Sequence, residues 1–248
     1  MSVESQTKLH WKGLRKRLGT RDVLRGATGS LASGEVVAIL GRNGAGKTTL
    51  VRILATLEGA DQGEVRVAPA RGGARETALR QRVGFLPHEP PLTPALTVGE
   101  NLEFQLACEG PARSSELDAA RSALARWGVA DRWSQVVRTL SRGQAQRVSL
   151  AALELAERPL RLLDEPFTAL DSRTASGLIA AVRRWRTEGV GVLFVTHDLG
   201  LADQLADRIL VLRRGQTFDV PDAVRHSSEA RTRMEAALED DDAPTSAV

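Results

Sequence analysis

The sequence predicts an α/β fold: a parallel sheet flanked by helices, with a lobe of short strands before it and a helical lobe inserted into it. Three observations carry that expectation. Val36 to Leu40 is an unbroken apolar run followed at once by a glycine-rich turn and an amphipathic stretch. An apolar run on both sides of the chain is the pattern of a strand buried on both faces of a parallel sheet. Two further runs, Leu160–Leu163 (broken only by Arg161) and Gly191–Val195, end in Asp164-Glu165-Pro166 and Thr196-His197-Asp198. Before both of these, from about 88 to 140, strand patterning gives way to helix caps.

A chain of 248 residues can bury a sizeable core. Its net charge of +3 is small, and its high pI reflects arginine outnumbering lysine, so charge alone gives no reason to expect nucleic-acid binding. No apolar run approaches the ~18 residues of a membrane span, and the start, MSVESQTKLHWKG, lacks the apolar centre of a signal peptide. The single cysteine, Cys108, permits no internal disulfide and fits a reducing cytosol. Any membrane role is therefore expected to come through a partner.

Taken in order, residues 7 to 40 read as short strands: Lys8–Lys12, roughly Val23–Leu31, then Val36–Leu40, with turns at Gly19 and Ser33-Gly34. Leu50, Ile53, Leu54 and Leu57 then form an i, i+3, i+4, i+7 stripe, a helix. Gly63–Val67 alternates as a half-buried strand, Pro69 to Arg82 reads as a polar, arginine-rich surface loop, and Val83–Leu86 is a short buried strand running into His88-Glu89-Pro90-Pro91. Thr97 with Glu100 makes a capping box that opens a helix toward Cys108. Ser115 can cap a second helix carrying Leu117, Leu124 and Trp127, with Gly128 past its end. Leu140-Ser141-Arg142-Gly143-Gln144 precedes a helix through Glu157, ended by Pro159. After the Leu160 strand come a helix from about Ser172 to Glu188, the Gly191 strand, and a last strand over Arg208–Arg213. Residues beyond about 225 read as a short helix, then an acidic tail from Glu239 whose composition predicts mobility.

The chemistry is concentrated at strand ends. Gly41 to Gly46 supplies three glycines whose backbone N–H groups can turn inward on a polyphosphate. Lys47 can reach the β- and γ-phosphates and the Thr48 hydroxyl can complete a Mg²⁺ site, while the following helix points its positive dipole end at the same anion. A nucleoside triphosphate is the expected ligand. Asp164 and Glu165 sit where an α/β sheet places its ligand; one acid can hold Mg²⁺ while its neighbour activates water. His197, also at a strand end, is placed to donate to γ-phosphate oxygens. Ser141 and Gly143 open a helix and offer a second anion site. One loop already holds the triphosphate, so the second site suggests a nucleotide shared between two copies.

The ordered set GRNGAGKTT, LSRGQ, LLDEP, Ala169–Asp171 and Thr196–His197 resembles an ATP-binding-cassette (ABC) ATPase over about residues 8 to 215. The resemblance implies a P-loop NTPase core of ABC type with an antiparallel β lobe and an inserted helical lobe. One ATPase domain would span 1–225, with core and β lobe at 1–87 and 141–225 and the helical lobe at 88–140, followed by a C-terminal helix and tail at 226–248. It implies ATP and Mg²⁺ as cofactors, with Gly41, Asn43, Gly44, Ala45, Gly46, Lys47, Thr48 and Thr49 around the phosphates. Thr48, Asp164 and His88 would face the metal, and Glu165, His197 and His88 the reaction. It also implies a head-to-tail homodimer in which Ser141, Gly143, Gln144 and Asp171 of one copy face the loop of the other. Integral membrane subunits would be met by the segment from His88, making the chain a peripheral subunit on the cytoplasmic side of the inner membrane.

Two positions depart from the family pattern. Leu18 stands where an aromatic usually stacks on adenine, and His88 stands where glutamine is usual. Histidine there, in LPHEPPLTPALTVGENLEF, together with SRGQAQR and DEPFTALD, is similar to the ATP-binding subunit of the haem exporter of cytochrome c maturation. That implies ATP use coupled to haem transfer. Alternatives are a lipid, drug or antibiotic exporter and, in another class, a chromosome-associated or repair ATPase. The latter needs long coiled coils between loop and signature, and residues 50 to 140 hold no sustained heptads. A small kinase or GTPase leaves LSRGQ and Thr196-His197 unexplained.

Overall fold

The chain is described by a computed structural model over residues 7–68, 75–108, 114–168 and 170–221. Two sheets organise it. A three-stranded antiparallel sheet has β1 (Lys8–Leu18) between β2 (Arg21–Ala32) and β4 (Gln62–Ala68). A six-stranded sheet runs in the order β5-β6-β7-β3-β8-β9, with β3 (Val36–Leu40), β5 (Val83–Leu86), β6 (Leu160–Asp164), β7 (Gly191–Thr196) and β8 (Arg208–Arg213) parallel, and β9 (Gln216–Asp219) antiparallel at the edge.

All five residues of β3 are buried because its alternate side chains feed two cores. Val36, Ala38 and Leu40 join a core with α4 (Ser114–Arg126), α5 (Arg142–Leu155), α6 (Ser172–Thr187) and α7 (Leu199–Leu205). Val37 and Ile39 join a second core with α1 (Lys47–Leu54) and the antiparallel sheet, through Leu9, Trp11, Leu14 and Leu24. Trp11 is 1% exposed, and it fits because position 29 is glycine: a Cβ there would stand 2.4 Å from its ring. The parallel strands thus aim their carboxyl ends, with the phosphate-loop and Asp164 segments, at one edge of a sheet covered on both faces.

The Thr97 cap forms as expected. α3 (Val98–Ala107) starts at Thr97, whose hydroxyl accepts from the Glu100 N–H while the Glu100 carboxylate accepts from the Thr97 N–H at 2.7 Å. Other expectations are corrected. β1 extends six residues past Lys12, through register irregularities around Gly13 (φ 62°). α1 stops at Leu54, because Thr56 takes a left-handed φ of 61° that turns Leu57 out to 58% exposure. Part of the stretch 69–82 read as loop is helical, α2 (Arg75–Arg80). Ser115 lies inside α4 rather than capping it, and Ala120, Ala123 and Leu124 form its buried face while Leu117 is half-buried. α5 ends at Leu155, short of Glu157, which has φ 45°. Two elements were not anticipated: α7, capped by Asp198 accepting from the Leu201 N–H, and the edge strand β9. The expected C-terminal helix and acidic tail lie outside the described residues, as does Ala169.

Candidate active site

The turn after β3 bends through Gly44 (φ 78°) and Gly46 (φ 102°), conformations that cost a side chain strain. Gly41 is fixed differently: a Cβ there would stand 2.7 Å from the Leu212 carbonyl of the neighbouring strand. Lys47, the first residue of α1, is 4% exposed and its Nζ donates to the carbonyls of Gly41 at 2.7 Å and Arg42 at 3.0 Å. The lysine therefore lies over the loop that its own helix begins.

Strand β6 brings the acids to the same place. Thr48 Oγ1 donates to Asp164 Oδ1 at 3.2 Å, and Lys47 Nζ lies 3.5 Å from Glu165 Oε1. Asp164 is 1% exposed, and burial pushes its carboxyl above the ordinary range against the Thr48 hydrogen bond. Glu165 has a left-handed φ of 47°, and the Thr168 hydroxyl donates to its Oε2 at 3.3 Å, which fixes the carboxylate facing Lys47. Among the described residues no three His, Cys, Asp or Glu side chains gather as a metal cage. A hydroxyl and a buried carboxylate 3.2 Å apart nevertheless fit Mg²⁺, a hard cation bound by few protein oxygens when phosphates and water complete its shell.

Two adjoining clefts meet at Thr48. One, of about 360 Å³, is walled by Leu18, Arg21, Gly44, Lys47 and Glu165 among others. The other, of about 400 Å³, is walled by Thr48, His88, Asp164 and Glu165 among others. Leu18, 46% exposed, thus stands at the nucleotide cleft as its sequence position suggested. Arg21 is a site residue that sequence reasoning missed: it lines the same cleft and its Nη2 donates to the Gly44 carbonyl at 3.2 Å. Nothing in RDVLRG marks it, because the contact depends on the β1–β2 turn packing against the phosphate loop.

His88 lies in the second cleft, but its Nε2 stands 3.3 Å from Arg142 Nη2. Arginine can only donate, so in this contact Nε2 is the acceptor. The remaining candidates stand apart from these walls. Ser141 and Gln144 are engaged with each other as the capping box of α5, with the Ser141 N–H donating to Gln144 Oε1 at 2.9 Å. Gly143 has open space around the position of a Cβ. Asp171 caps α6 by accepting from the Thr174 N–H at 2.7 Å, and those hydrogen bonds hold its carboxyl below the ordinary range. His197 is exposed at the carboxyl end of β7. Within one chain, then, Lys47, Thr48, Asp164, Glu165 and His88 come together, whereas Ser141, Gly143, Gln144, Asp171 and His197 line neither cleft.

A cradle of backbone N–H groups, a buried ammonium, a hydroxyl–carboxylate pair and a second carboxylate can bind a polyphosphate and position water against it. Known proteins agree. The family described as ABC transporter matches residues 24–168. The aliphatic sulfonates import ATP-binding protein SsuB 1 of Xanthomonas axonopodis pv. citri (strain 306) is 41% identical over 210 residues, 84% of this chain and 81% of that protein. The methionine import ATP-binding protein MetN of Rhizobium johnstonii is 36% identical over 211 residues, 83% of this chain and 58% of that protein. Among solved structures, an ATP-binding subunit of an ABC transporter superposes with TM-score 0.83 at 26% identity, covering 94% of this chain and 99% of that one. The dimeric ATP-binding cassette MJ0796 bound to ADP and Pi gives TM-score 0.76 at 28% identity, covering 86% and 97%. Both relatives are importers by name, so the similarity to the haem exporter draws no support from them. With its fold, its phosphate loop and its matched sequence in agreement, the chain belongs to the ABC transporter family, as one of its ATP-binding, ATP-hydrolysing chains.

Proposed function

We propose that the chain is the ATP-hydrolysing subunit of a membrane importer for a small organic solute, and that it works as a head-to-tail pair with itself. The observation that carries the reading is the convergence of Lys47, Thr48, Asp164 and Glu165 at one strand edge. In this reading Gly41, Asn43, Gly44, Ala45, Gly46 and Thr49 form the phosphate cradle and Lys47 neutralises the β- and γ-phosphates. Thr48 and Asp164 would hold Mg²⁺, which when bound spreads the charge of the transferring group. Glu165 orients the attacking water and draws its proton as the bond from the γ-phosphorus to ADP breaks. His197 donates to the phosphoryl oxygens, and His88 senses the γ-phosphate side of the site.

Ser141, Gly143, Gln144 and Asp171 lie away from their own chain's clefts. They are proposed to close over the nucleotide of a second copy, as the dimeric relative with ADP and Pi makes plausible. No helix among the described residues is long and apolar enough to cross a membrane. We therefore assign the membrane to integral partner subunits, met on the cytoplasmic side by the segment from His88, with 88–140 as a helical lobe of one ATPase domain over 1–225. The importer reading rests on relatives named for aliphatic sulfonates and methionine. Haem export is the second reading, favoured by His88 and its segment together with SRGQAQR and DEPFTALD.

Reconstitution with the membrane subunits encoded beside it tests the proposal. ATP turnover stimulated by an alkanesulfonate or by methionine supports import. Stimulation by haem, or neighbouring genes for cytochrome c assembly, would turn the assignment to export.

A further inference from the structure

Arg161 breaks the apolar start of β6, and no part of the ATP site uses it. It is 5% exposed, with its guanidinium carbon 4.3 Å from the centre of the Trp185 ring. Its Nε and Nη1 are buried without a hydrogen-bond partner. Burial lowers its pKa to about 10, which still leaves it charged near neutrality. The nearest acid does not complete it: Glu154 accepts instead from Arg126, Arg184 and the Trp185 indole N–H. A buried cation with unmet donors is costly unless an acceptor arrives.

Arg161 stands three residues before Asp164, at the amino end of β6 and so at the sheet edge opposite the phosphate loop. It lines a cleft of about 530 Å³ bounded by the last turns of α5 and α6. Four arginines there, Arg126, Arg158, Arg161 and Arg184, face three glutamates, an excess of one positive charge that matches a monoanion. Trp185, Pro159 and Val190 give the same cleft an apolar wall. Arg126 and Arg184, whose side chains are 50% and 42% exposed, stand at its rim.

We propose that this cleft binds a small organic carboxylate, its oxygens accepting from Arg161, which Trp185 holds from behind, and its apolar body lying against Pro159 and Val190. The site is separate from the ATP site and independent of what the transporter carries. Nε and Nη1 lie on different edges of the guanidinium, so a bound carboxylate can meet one of them and a water carried in with it the other.

Isothermal titration of the full chain, with ADP saturating the phosphate loop, tests it with benzoate, butyrate and inorganic phosphate as probes. Benzoate is expected to bind saturably and tighter than phosphate. Arg161→Leu, which removes the unmet donors from an apolar strand, is expected to weaken benzoate about tenfold or more while ATP turnover stays unchanged. Trp185→Leu provides a second variant and is expected to weaken it severalfold. Absent saturation, equal benzoate affinity in Arg161→Leu, or Arg161-dependent binding that prefers phosphate would each overturn the proposal.

Discussion

Lys47 Nζ and Glu165 Oε1 stand 3.5 Å apart, and the same ammonium is held by the Gly41 and Arg42 carbonyls. The pair links binding to chemistry. A triphosphate offers Lys47 a denser negative charge than one carboxylate, so on ATP binding the lysine is expected to turn to the phosphates and to release Glu165 toward water. Lys47→Ala is expected to weaken ATP binding about 10- to 100-fold, the size of one or two charge-assisted hydrogen bonds. Titration with a fluorescent ATP analogue checks it, and unchanged affinity would remove Lys47 from the site.

Leu18 borders the nucleotide cleft where an aromatic ring would stack on the base. Leu18→Trp is expected to tighten ATP about two- to tenfold, the range of an added ring contact. Parallel titrations with ATP and a base-free triphosphate separate the cases: only the nucleotide should gain.

Asp164 makes the site costly when no cation is present. Its carboxyl is raised by burial, so its contribution to stability is fully present below the ordinary carboxylate value of ~3.9 and is lost as pH rises through the raised one. Without nucleotide, Asp164→Asn is expected to melt a few degrees higher than wild type near neutrality, with the difference fading at acid pH, while ATP turnover is nearly lost. A thermal melt across pH together with an ATPase assay reads both effects.

Arg142 competes with any cation for the Nε2 lone pair of His88, which accepts from the guanidinium. Removing that hydrogen bond by Arg142→Leu is expected to lower the Mg²⁺ concentration for half-maximal turnover about two- to tenfold. No change in the Arg142→Leu protein, or the same decrease when His88→Ala is added, would detach His88 from the metal.

The phosphate loop, the acids at the end of β6, the Thr97 cap and the helix start at Ser141 were legible in the sequence because each rests on neighbours within a few residues. What escaped depends on distant packing. Arg21 reaches Gly44 only because the β1–β2 turn folds onto the loop, and Leu57, in register with the α1 stripe, is expelled by the backbone at Thr56. β9 is four residues long and half-exposed, with too little apolar alternation to be read before β8 offers it an edge. Arg161 was visible only as a flaw in a strand; its Trp185 contact and its unmet donors needed the fold.

Two copies are proposed to share ATP, with Glu165 consuming it. Light scattering of Glu165→Gln with ATP and Mg²⁺ tests it most directly, because the amide keeps the side chain's shape but cannot take the proton from water. Turnover is expected to fall about 100-fold or more, with ATP still bound and the 26.7 kDa chain eluting at twice its mass. Adding Ser141→Arg, at the exposed start of α5, should return it to a monomer. A Glu165→Gln protein that hydrolyses ATP at the wild-type rate, or stays monomeric with ATP bound, would contradict the account.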